Sequence, residues 1–272
     1  MRYVKMNGCG NDFVILDARA GAPRLTPARA RALADRETGL GCDQVIALEP
    51  SAKADVFMRI WNADGEEVSA CGNGTRAVAW LLMEEGGAAK TIDTAAGVLR
   101  AERGGPHAIT VDMGPPRLAW NEIPLARAMD TLALDLAFDH AGQRLAAPGA
   151  VNMGNPHIVF FVKDVMSTPV AEIGPRLERD PLFPEGVNVG FAEIEAPDRI
   201  RLRVWERGAG LTKACGTGAC AALVAANRAG WAGRAADIIV DGGVLRIEWG
   251  ADDHVRMTGP VELEGEGVID IA

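Results

Sequence analysis

The sequence lacks an apolar run long enough to cross a membrane. Its longest uninterrupted apolar stretches, such as Ala219–Ala226, fall well short of the roughly 18 residues that a membrane-spanning helix needs. The first residues, MRYVKMNGCG, also lack the apolar segment of a secretory signal peptide. We therefore expect a cytoplasmic protein with no membrane partner.

Basic charge, histidine and paired cysteines are also scarce. The formal net charge is −9 and the Lys and Arg residues are scattered, which argues against a nucleic-acid partner because phosphate binding needs a basic surface. The five cysteines form no Cys-x-x-Cys pair and the four histidines lie far apart, so we expect no metal site. An odd number of cysteines in a chain of 272 residues also argues against a secreted disulfide framework.

The sequence does contain an internal repeat. With one offset of 144 residues and no gap, GNDFVIL from Gly10 aligns with GNPHIVF from Gly154, and CGNGTRA from Cys71 aligns with CGTGACA from Cys215. Because chance matches would scatter over many offsets, the constant offset indicates a duplicated unit. The first copy, the joining segment and the second copy cover residues 1–128, 129–144 and 145–272.

Each copy predicts an α+β lobe. Runs rich in Val, Ile, Phe and Trp, such as VFMRIW from Val56 and RIRLRVW from Arg199, are typical of strands. A helix is predicted over Thr26–Asp35, and the apolar segments after the two CGxG motifs predict helices that end near Gly86 and Gly230. A helix that is apolar on nearly every face is normally buried. We therefore predict that each lobe is a strongly curved, mostly antiparallel sheet wrapped around a central helix.

The duplication also predicts how the two lobes are arranged. Pseudo-symmetric lobes should face each other about a pseudo-twofold axis, which would bring the two CGxG segments to opposite sides of one cleft. Because ligands often bind in clefts between lobes, we expect the active site there.

A cysteine placed before a Gly-rich helix start suits anion chemistry. Unpaired N–H groups and the positive end of the helix dipole converge on Cys71 and on Cys215, so we expect both thiol pKa values to be lowered toward neutrality. A substrate carboxylate bound there would stabilise the negative charge that develops as an α-proton leaves. Two thiols on opposite faces of the carbon would then act as base and acid and invert it.

The alternative interpretation of each cysteine is a small buried packing residue, which is common for free cysteine. Against it, Cys71 and Cys215 align with each other, whereas the other three have no cysteine at the equivalent position. We interpret Cys9, Cys42 and Cys220 as packing residues. A disulfide between Cys71 and Cys215 would be an inactivating oxidation if the sulfurs meet.

Motifs along essentially the whole chain resemble those of the diaminopimelate epimerases. They are GNDF from Gly10, Gly-x-Asp-Gln from Gly41, NADG from Asn62, ACGNGTR from Ala70, GNPH from Gly154, ERGAG from Glu206 and ACGTGA from Ala214. The resemblance implies an isomerase that interconverts LL- and meso-2,6-diaminopimelate, a step that supplies lysine and a peptidoglycan precursor. It implies no cofactor and no metal, a homodimer, and a catalytic cysteine pair that matches Cys71 and Cys215.

The same resemblance implies the residues around the substrate. The substrate contacts would be Asn11, Gln44, Asn62, Asn155, Asn188 and Arg207, with donors to the reacting carboxylate from Gly72, Asn73, Gly216 and Thr217 and auxiliary groups beside the thiols from His157 and Glu206. Amides suit both ammonium and carboxylate groups, Arg207 can bind the distal carboxylate through two N–H groups, and Glu206 suits the reacting ammonium. In the alternative interpretation, the asparagines form turns and Arg207 is a solvated surface charge.

One departure from the family pattern lies near the first motif. The family usually carries Met-His-Gly where this chain has Met6-Asn7-Gly8, and an aliphatic residue is commoner at Cys9. The change bears on local packing under Asn11 and leaves a related racemase with another side-chain preference open.

Other function classes remain as alternatives. GNGTRA and GTGACA fit the relaxed G-x-G-x-x-A pattern of dinucleotide-binding proteins, and Asp93 and Asp237 follow at about the expected 20 residues. That fingerprint needs the turn to follow its strand directly, whereas the polar loop Ala63–Ala70 intervenes. A non-catalytic amino-acid-binding protein, a proline-racemase-like enzyme and an isomerase of the same fold are further alternatives. Retention of both thiols argues against the binding protein, and asparagines and Arg207 placed for a distal group favour diaminopimelate.

Overall fold

Two helices of 13 residues each, α2 (Gly72–Glu84) and α4 (Gly216–Arg228), start directly after the CGxG cysteines. The computed structural model describes residues 1–21, 25–69 and 71–270, so Ala70 of the ACGNGTR motif lies outside the described residues. The chain divides into unit 1 (Met1–Asp112 with Thr258–Ala272) and unit 2 (Met113–Met257). Within the described ranges, no helix is long and apolar enough to span a membrane.

Unit 1 is a mainly antiparallel sheet with α1 (Pro27–Ala34) and α2. Neighbouring strands pair in the order β19, β1, β2, β3, β4, β6, β7, β8, and the pairs β2–β3 and β4–β6 are parallel. The short β5 pairs with β4. The strands are β1 (Arg2–Gly8), β2 (Asn11–Asp17), β3 (Gln44–Glu49), β4 (Val56–Asn62), β5 (Glu67–Val68), β6 (Ala89–Thr94), β7 (Gly97–Gly105), β8 (Ala108–Asp112) and β19 (Glu262–Val268).

Unit 2 repeats this topology with α3 (Val170–Glu178) and α4. Its strands pair in the order β11, β12, β13, β14, β16, β17, with β15 beside β14, and β12–β13 and β14–β16 are the parallel pairs. The strands are β11 (Gly149–Asn152), β12 (Pro156–Phe161), β13 (Asn188–Ala196), β14 (Arg199–Glu206), β15 (Gly210–Thr212), β16 (Ala235–Val240) and β17 (Gly243–Trp249), and β18 (Val255–Pro260) crosses the division between the units. The predicted mostly antiparallel α+β fold is confirmed.

The duplication is visible in the register of the strands. Phe13 is opposite Gln44 in the parallel pair of unit 1, and His157 is opposite Asn188 in that of unit 2, with the same offset of 144 residues. Helix α1 was predicted, and Thr26 caps it by accepting a hydrogen bond from the Arg29 N–H at 3.3 Å.

Helix α3 was not predicted from the sequence. It begins after Pro169 without a side-chain cap and contains Pro175, so the usual helix signals are missing. Its position nevertheless corresponds to α1 at the offset of the repeat, and that offset would have located it.

Each sheet wraps around the helix that follows its CGxG motif. Helix α2 packs against β1, β2, β6, β7 and β8, and α4 packs against β11, β12, β13, β14, β16 and β17. Residues Ala219–Ala226 of α4 are all at most 2 % exposed, as expected for a helix that is apolar on every face. Gly86 and Gly230, with φ of +135° and +76°, follow the ends of the two helices, as predicted.

The other two helices pack in a core of their own unit. In unit 1, Ala30 and Leu33 of α1 pack with residues of β2 and β3 such as Val14 and Val45. In unit 2, the larger core lies between α3 and strands β12 and β13, and the rings of Phe160 and Phe191 stack there with centroids 6.0 Å apart.

The joining segment of the sequence analysis, residues 129–144, belongs to unit 2. It contributes the hairpin of β9 (Ala137–His140) and β10 (Gln143–Ala146), and Leu134 is buried in the unit 2 core. Arg228, at the end of α4, donates to the Thr131 carbonyl at 3.2 Å. The segment is therefore part of a packed unit.

The compact units do not end where the sequence copies end. Strand β19, at the end of the second copy, belongs to unit 1 and pairs with β1 from Arg2–Val268 to Asn7–Glu262. In turn, Arg117 of the first copy belongs to unit 2 and forms a β-bridge with Asn152. The boundaries at residues 128 and 145 thus mark the repeat in the sequence, whereas the units divide after Asp112 and Met257 because the copies exchange their last segments.

Candidate active site

Cys71 caps the start of α2 with its own side chain. Its backbone is extended (φ −147°, ψ 112°), and its Sγ accepts a hydrogen bond from the Gly74 N–H at 3.3 Å. A Cβ at Gly74 would lie 2.8 Å from the Cδ1 of Ile46 and 3.6 Å from the Cys71 Sγ, so glycine allows this close turn. The thiol is half-buried at the first N–H groups of the helix, as the sequence predicted.

The Asn11 side chain lies beside Cys71. Its Oδ1 is 3.9 Å from the Cys71 Sγ and accepts from the Nδ2 of Asn73 at 3.4 Å. On its other side, the Asn11 Nδ2 donates to the Oδ2 of Asp43 at 3.0 Å. The structure therefore brings Asn11, Asn73 and Cys71 together and adds Asp43, which the sequence analysis quoted only as part of the Gly-x-Asp-Gln motif and gave no role.

Gln44 and Asn62 form a pair across β3 and β4. The Gln44 Nε2 donates to the Asn62 Oδ1 at 2.9 Å. The Gln44 Oε1 is buried and has no hydrogen-bond partner among the described residues. A buried acceptor without a partner is costly, so this oxygen is suited to an N–H donor of a ligand.

Cys215 occupies the equivalent cap position at α4. Its backbone is extended (φ −117°, ψ 109°), and its Sγ accepts from the Gly218 N–H at 3.3 Å. The Thr217 Oγ1 lies 3.6 Å from the sulfur. Unlike Cys71, the Cys215 thiol is almost completely buried, with 3 % of the residue exposed.

The expectation of a lowered thiol pKa is wrong for Cys215 in this structure. Burial raises its pKa well above the usual value, and the negative charge of Glu206 raises it further, whereas contacts with Thr217 and Gly218 lower it only in part. Glu206 is itself held by a hydrogen bond from Thr212, and burial raises the pKa of its carboxyl group. The favourable helix start is therefore outweighed, and Cys215 rests as a protonated thiol.

His157 is a neutral, buried residue between Asn155 and Thr217. Its Nε2 lies 2.9 Å from the Asn155 Oδ1 and 3.0 Å from the Thr217 Oγ1. Because an amide oxygen only accepts, the Nε2 carries the hydrogen and donates a hydrogen bond to the Asn155 Oδ1. Burial, with a smaller contribution from the charge of Arg207, lowers the His157 pKa to about 3.

Asn188 and Arg207 are joined through the main chain. The Asn188 Oδ1 accepts from the Arg207 N–H at 2.9 Å, and its Nδ2 donates to the Pro156 carbonyl at 2.8 Å, so both ends of this buried amide already bind backbone. The Arg207 guanidinium is exposed and donates to the Glu185 carbonyl at 2.6 Å. A Cβ at Gly186 would lie 2.9 Å from the Arg207 Cδ, so this glycine makes room for the arginine.

Some of the predicted residues thus form a group around each cysteine, whereas Gln44 with Asn62, and Asn188 with Arg207, form separate pairs. Unit 1 groups Cys71 with Asn11 and Asn73 and contains the Gln44–Asn62 pair, and unit 2 groups Cys215 with Glu206, Thr217, His157 and Asn155. Gly72 and Gly216 open the two helices. None of the five cysteines forms a disulfide, and the described residues contain no group of three or more His, Cys, Asp or Glu placed to bind a metal ion.

Comparison with known proteins identifies the family. A family model described as diaminopimelate epimerase matches residues 3–119 and 149–264. The diaminopimelate epimerase of Phenylobacterium zucineum is 60% identical over 97% of this chain and 96% of its own length, and that of Acidiphilium cryptum is 56% identical over 99% and 96%.

Solved structures with low sequence identity share the fold. A probable proline racemase from Agrobacterium radiobacter has a TM-score of 0.69 at 18% identity and covers 100% of this chain and 93% of its own. A hydroxyproline epimerase from Agrobacterium vitis has a TM-score of 0.68 at 17% identity and covers 98% and 90%. The predicted fold is that of these racemases and epimerases, and the sequence relationship is closer still: this chain belongs to the diaminopimelate epimerase family.

Proposed function

We propose that the protein interconverts LL- and meso-2,6-diaminopimelate by proton transfer between its two helix-capping cysteines. The observation that carries this proposal is the repeated cap: in each unit, a cysteine Sγ accepts the N–H of a glycine three residues later at 3.3 Å. The same chemistry is thus present twice at equivalent positions, and an inversion needs one base and one acid.

In the proposed reaction, one cysteine acts as a thiolate and removes the α-hydrogen as a proton. The C–H electron pair passes into the α-carboxylate, which then carries the developing negative charge. The other cysteine, as a thiol, gives its proton to the opposite face of the carbon and becomes a thiolate. The configuration is inverted, and the two sulfurs have exchanged protonation states. The reverse reaction uses the same groups in opposite roles.

The helix starts would stabilise the charge that forms on the substrate. The first N–H groups of a helix have no partner within the helix and lie at its positive end. We propose that Gly72 and Asn73 in unit 1, and Gly216 and Thr217 in unit 2, donate to the reacting carboxylate. Such donors are more effective in a site from which water is excluded.

Glu206 would receive the ammonium group of the reacting centre. A carboxyl group whose pKa is raised by burial gains a partner when a cation binds beside it. Binding would also offset the negative charge that raises the Cys215 pKa. We propose that substrate binding thereby brings Cys215 closer to the ionisation range needed for catalysis.

The remaining amides would bind the distal end of the substrate. Gln44 has an unused buried oxygen for an ammonium group, and the exposed Arg207 guanidinium suits the distal carboxylate. We propose Asn11, Asn62, Asn155 and Asn188 as further contacts, and His157 as a positioning residue for Thr217 beside Cys215.

The test follows α-proton exchange in deuterated water. Purified, reduced protein is incubated with LL-diaminopimelate without added cofactor, and meso product and α-deuterium are measured for the wild type, Cys71→Ala and Cys215→Ala. Inversion with deuterium incorporation in the wild type, lost in both variants, supports the two-thiol reaction. A wild type that neither exchanges nor inverts this substrate overturns the assignment, and proline and other amino acids are then screened.

A homodimer and a cytoplasmic location are further proposals that depend on the family resemblance. Light scattering at the assay concentration tests the first, because a monomeric mass would contradict it. Fractionation of the source cells tests the second.

A further inference from the structure

The Asn11 amide has one defined orientation. A carboxylate only accepts hydrogen bonds, so the 3.0 Å contact with Asp43 Oδ2 requires the NH₂ group of Asn11 to face Asp43. The amide oxygen then faces the other way, toward the Cys71 Sγ at 3.9 Å and the Asn73 Nδ2 at 3.4 Å. Asn73 offers a donor at this point, which agrees with the same orientation.

Asp43 is itself fixed by a network of charged groups. Arg36 donates to the Asp43 Oδ1 at 2.8 Å and binds both oxygens of Asp12, at 2.8 and 3.0 Å. Asp43 and Asp12 also exchange hydrogen bonds, each accepting the other's N–H with a carboxylate oxygen at 3.2 and 2.9 Å. The Lys5 ammonium lies 3.8 Å from Asp12. The carboxylate that holds Asn11 therefore has several partners of its own, although its side chain is 43% exposed and that of Arg36 is 57% exposed.

Burial and hydrogen bonding compete at Asp12. Burial raises the pKa of its carboxyl group. Hydrogen bonds from Arg36 and from the Asp43 N–H, with the charge of Arg36, lower that pKa by more than burial raises it, so the net pKa is lowered and the group stays ionised. The Arg36 guanidinium thus binds both the Asp12 and the Asp43 carboxylates, and Asp43 in turn binds Asn11.

In the second copy, the equivalent asparagine, Asn155, is bound through its amide oxygen instead of its NH₂ group. Asn155 accepts through its Oδ1 from His157, which occupies the position of Phe13 in the first copy. Val187 stands where the first copy has Asp43, so this carboxylate is specific to unit 1. One asparagine is fixed through its NH₂ group and the other through its oxygen.

We propose that Asp43, held by Arg36 and Asp12, is a positioning residue that turns the Asn11 oxygen toward Cys71 and thereby favours the protonated thiol. The role of Cys71 in this statement rests on the proposed function. A carbonyl oxygen accepts a hydrogen bond from S–H and repels a thiolate. A reversed amide would instead offer N–H to the thiolate and favour it.

The isosteric change Asp43→Asn tests this orientation. The charge of Arg36 favours the new amide oxygen at the position of Oδ1. The new NH₂ group then takes the place of Oδ2, where it faces Asn11 and gives up the hydrogen bond from the Asp12 N–H. Asn11 should then reverse, with its oxygen toward residue 43 and its NH₂ group toward Cys71. The change should therefore favour the Cys71 thiolate.

The measurement is the pH dependence of Cys71 alkylation in substrate-free protein. Iodoacetamide is the probe, and the modified Cys71 peptide is quantified by mass spectrometry. We expect the midpoint for Asp43→Asn to fall by about one pH unit, because one hydrogen bond to a charged group has about that effect. Asp55→Asn is the matched control, since Asp55 binds Thr91 at the end of β4 remote from Asn62, and its midpoint should equal that of the wild type.

A second background separates orientation from charge. Loss of the Asp43 charge alone would also lower the midpoint of Cys71 alkylation. This contribution of charge remains when Asn11 is replaced by Ala. The shift caused by Asp43→Asn should therefore be smaller in an Asn11→Ala background than with Asn11 present. Equal shifts in both backgrounds, or no shift in either, would overturn the proposal. If Asp43→Asn does not fold, Asp43→Ser removes the carboxylate and the same comparison applies.

The epimerase assay is run on the same samples and is independent of the alkylation result. In one outcome, the Asp43→Asn shift is smaller without Asn11 while the wild type does not turn over diaminopimelate. That result keeps the positioning role of Asp43 and removes the proposed substrate. Turnover without that shift keeps the substrate and removes the positioning role.

Discussion

The Glu206 carboxylate lies against the Cys215 thiol and, together with burial, keeps that thiol protonated. A helix start favours a thiolate, so the two influences on this sulfur oppose each other. Burial and Glu206 prevail in the substrate-free protein because the thiol is almost completely buried. In the proposed reaction, the unit 2 cysteine would therefore start as the acid, and a cation bound at Glu206 would lower its pKa.

Replacing Glu206 by Gln should lower the Cys215 pKa toward its usual value without restoring it fully, because burial is the largest cause of the rise. We expect the alkylation midpoint of Cys215 to move to lower pH, and epimerase activity to fall about 100-fold as the partner for the ammonium group is lost. Glu195→Gln is the control, since Glu195 pairs with Arg199 on the surface. An unchanged Cys215 midpoint would contradict the assigned influence of Glu206.

His157 should make the protein sensitive to mild acid. Its pKa is lowered to about 3 in the folded state from a usual 6.5, so the folded protein binds fewer protons and stability is lost as the pH falls below 6.5 toward 3. Between pH 7.5 and 5, this one group should remove about 2 kcal/mol from the free energy of unfolding. Urea titration of wild type and His157→Phe at both pH values measures it.

The His157→Phe variant carries the residue that the first copy has at the equivalent position, Phe13. Other titrating groups are common to both proteins, so the difference between them isolates His157. If both lose the same stability between the two pH values, the histidine is not neutral in the folded protein.

Gln44 should contribute to substrate affinity more than to folding. In Gln44→Met, the buried oxygen without a partner disappears, while Asn62 loses one donor, so we expect the free energy of unfolding to change by less than about 1 kcal/mol. The KM for diaminopimelate should rise about tenfold, which corresponds to roughly 1.4 kcal/mol. Steady-state kinetics and urea unfolding check this, and an unchanged KM would remove Gln44 from the substrate contacts.

Gly186→Ala should disturb Arg207. The new methyl group would meet the Arg207 Cδ, and the positive φ of +72° adds strain, so we expect a loss of about 1 kcal/mol or more in stability and a rise in KM of about tenfold. Gly230→Ala is the matched control, since its φ is +76° and nothing lies within 4 Å of the added atom. It should show the strain in thermal unfolding while KM stays at the wild-type value.

The sequence predicted the parts of the fold that follow from local pattern and from the repeat. Each helix-capping cysteine, Cys71 or Cys215, and the helix after it depend on a few neighbouring residues. The same cap and helix occur in both copies. Helix α3 was missed because its local signals are weak, although the offset from α1 pointed to it.

The parts that could not be predicted depend on tertiary contacts or on one copy alone. A search for residues retained in both copies selects cysteines and asparagines, and it passes over Asp43 because Val187 takes its place. The rise of the Cys215 pKa could not be predicted from the sequence either. The position of a cysteine at a helix start is a local property, whereas its burial and its contact with Glu206 arise only after folding.

The exchange of end segments between the copies has a consequence for synthesis on the ribosome. Strand β1 is made before unit 2, yet its partner β19, at Glu262–Val268, is made after unit 2. Unit 2, which is one continuous stretch from Met113 to Met257, is made in full before that partner emerges. We therefore expect the second unit to complete its fold first, while the first waits with an unpaired edge, although domains made earlier usually fold earlier.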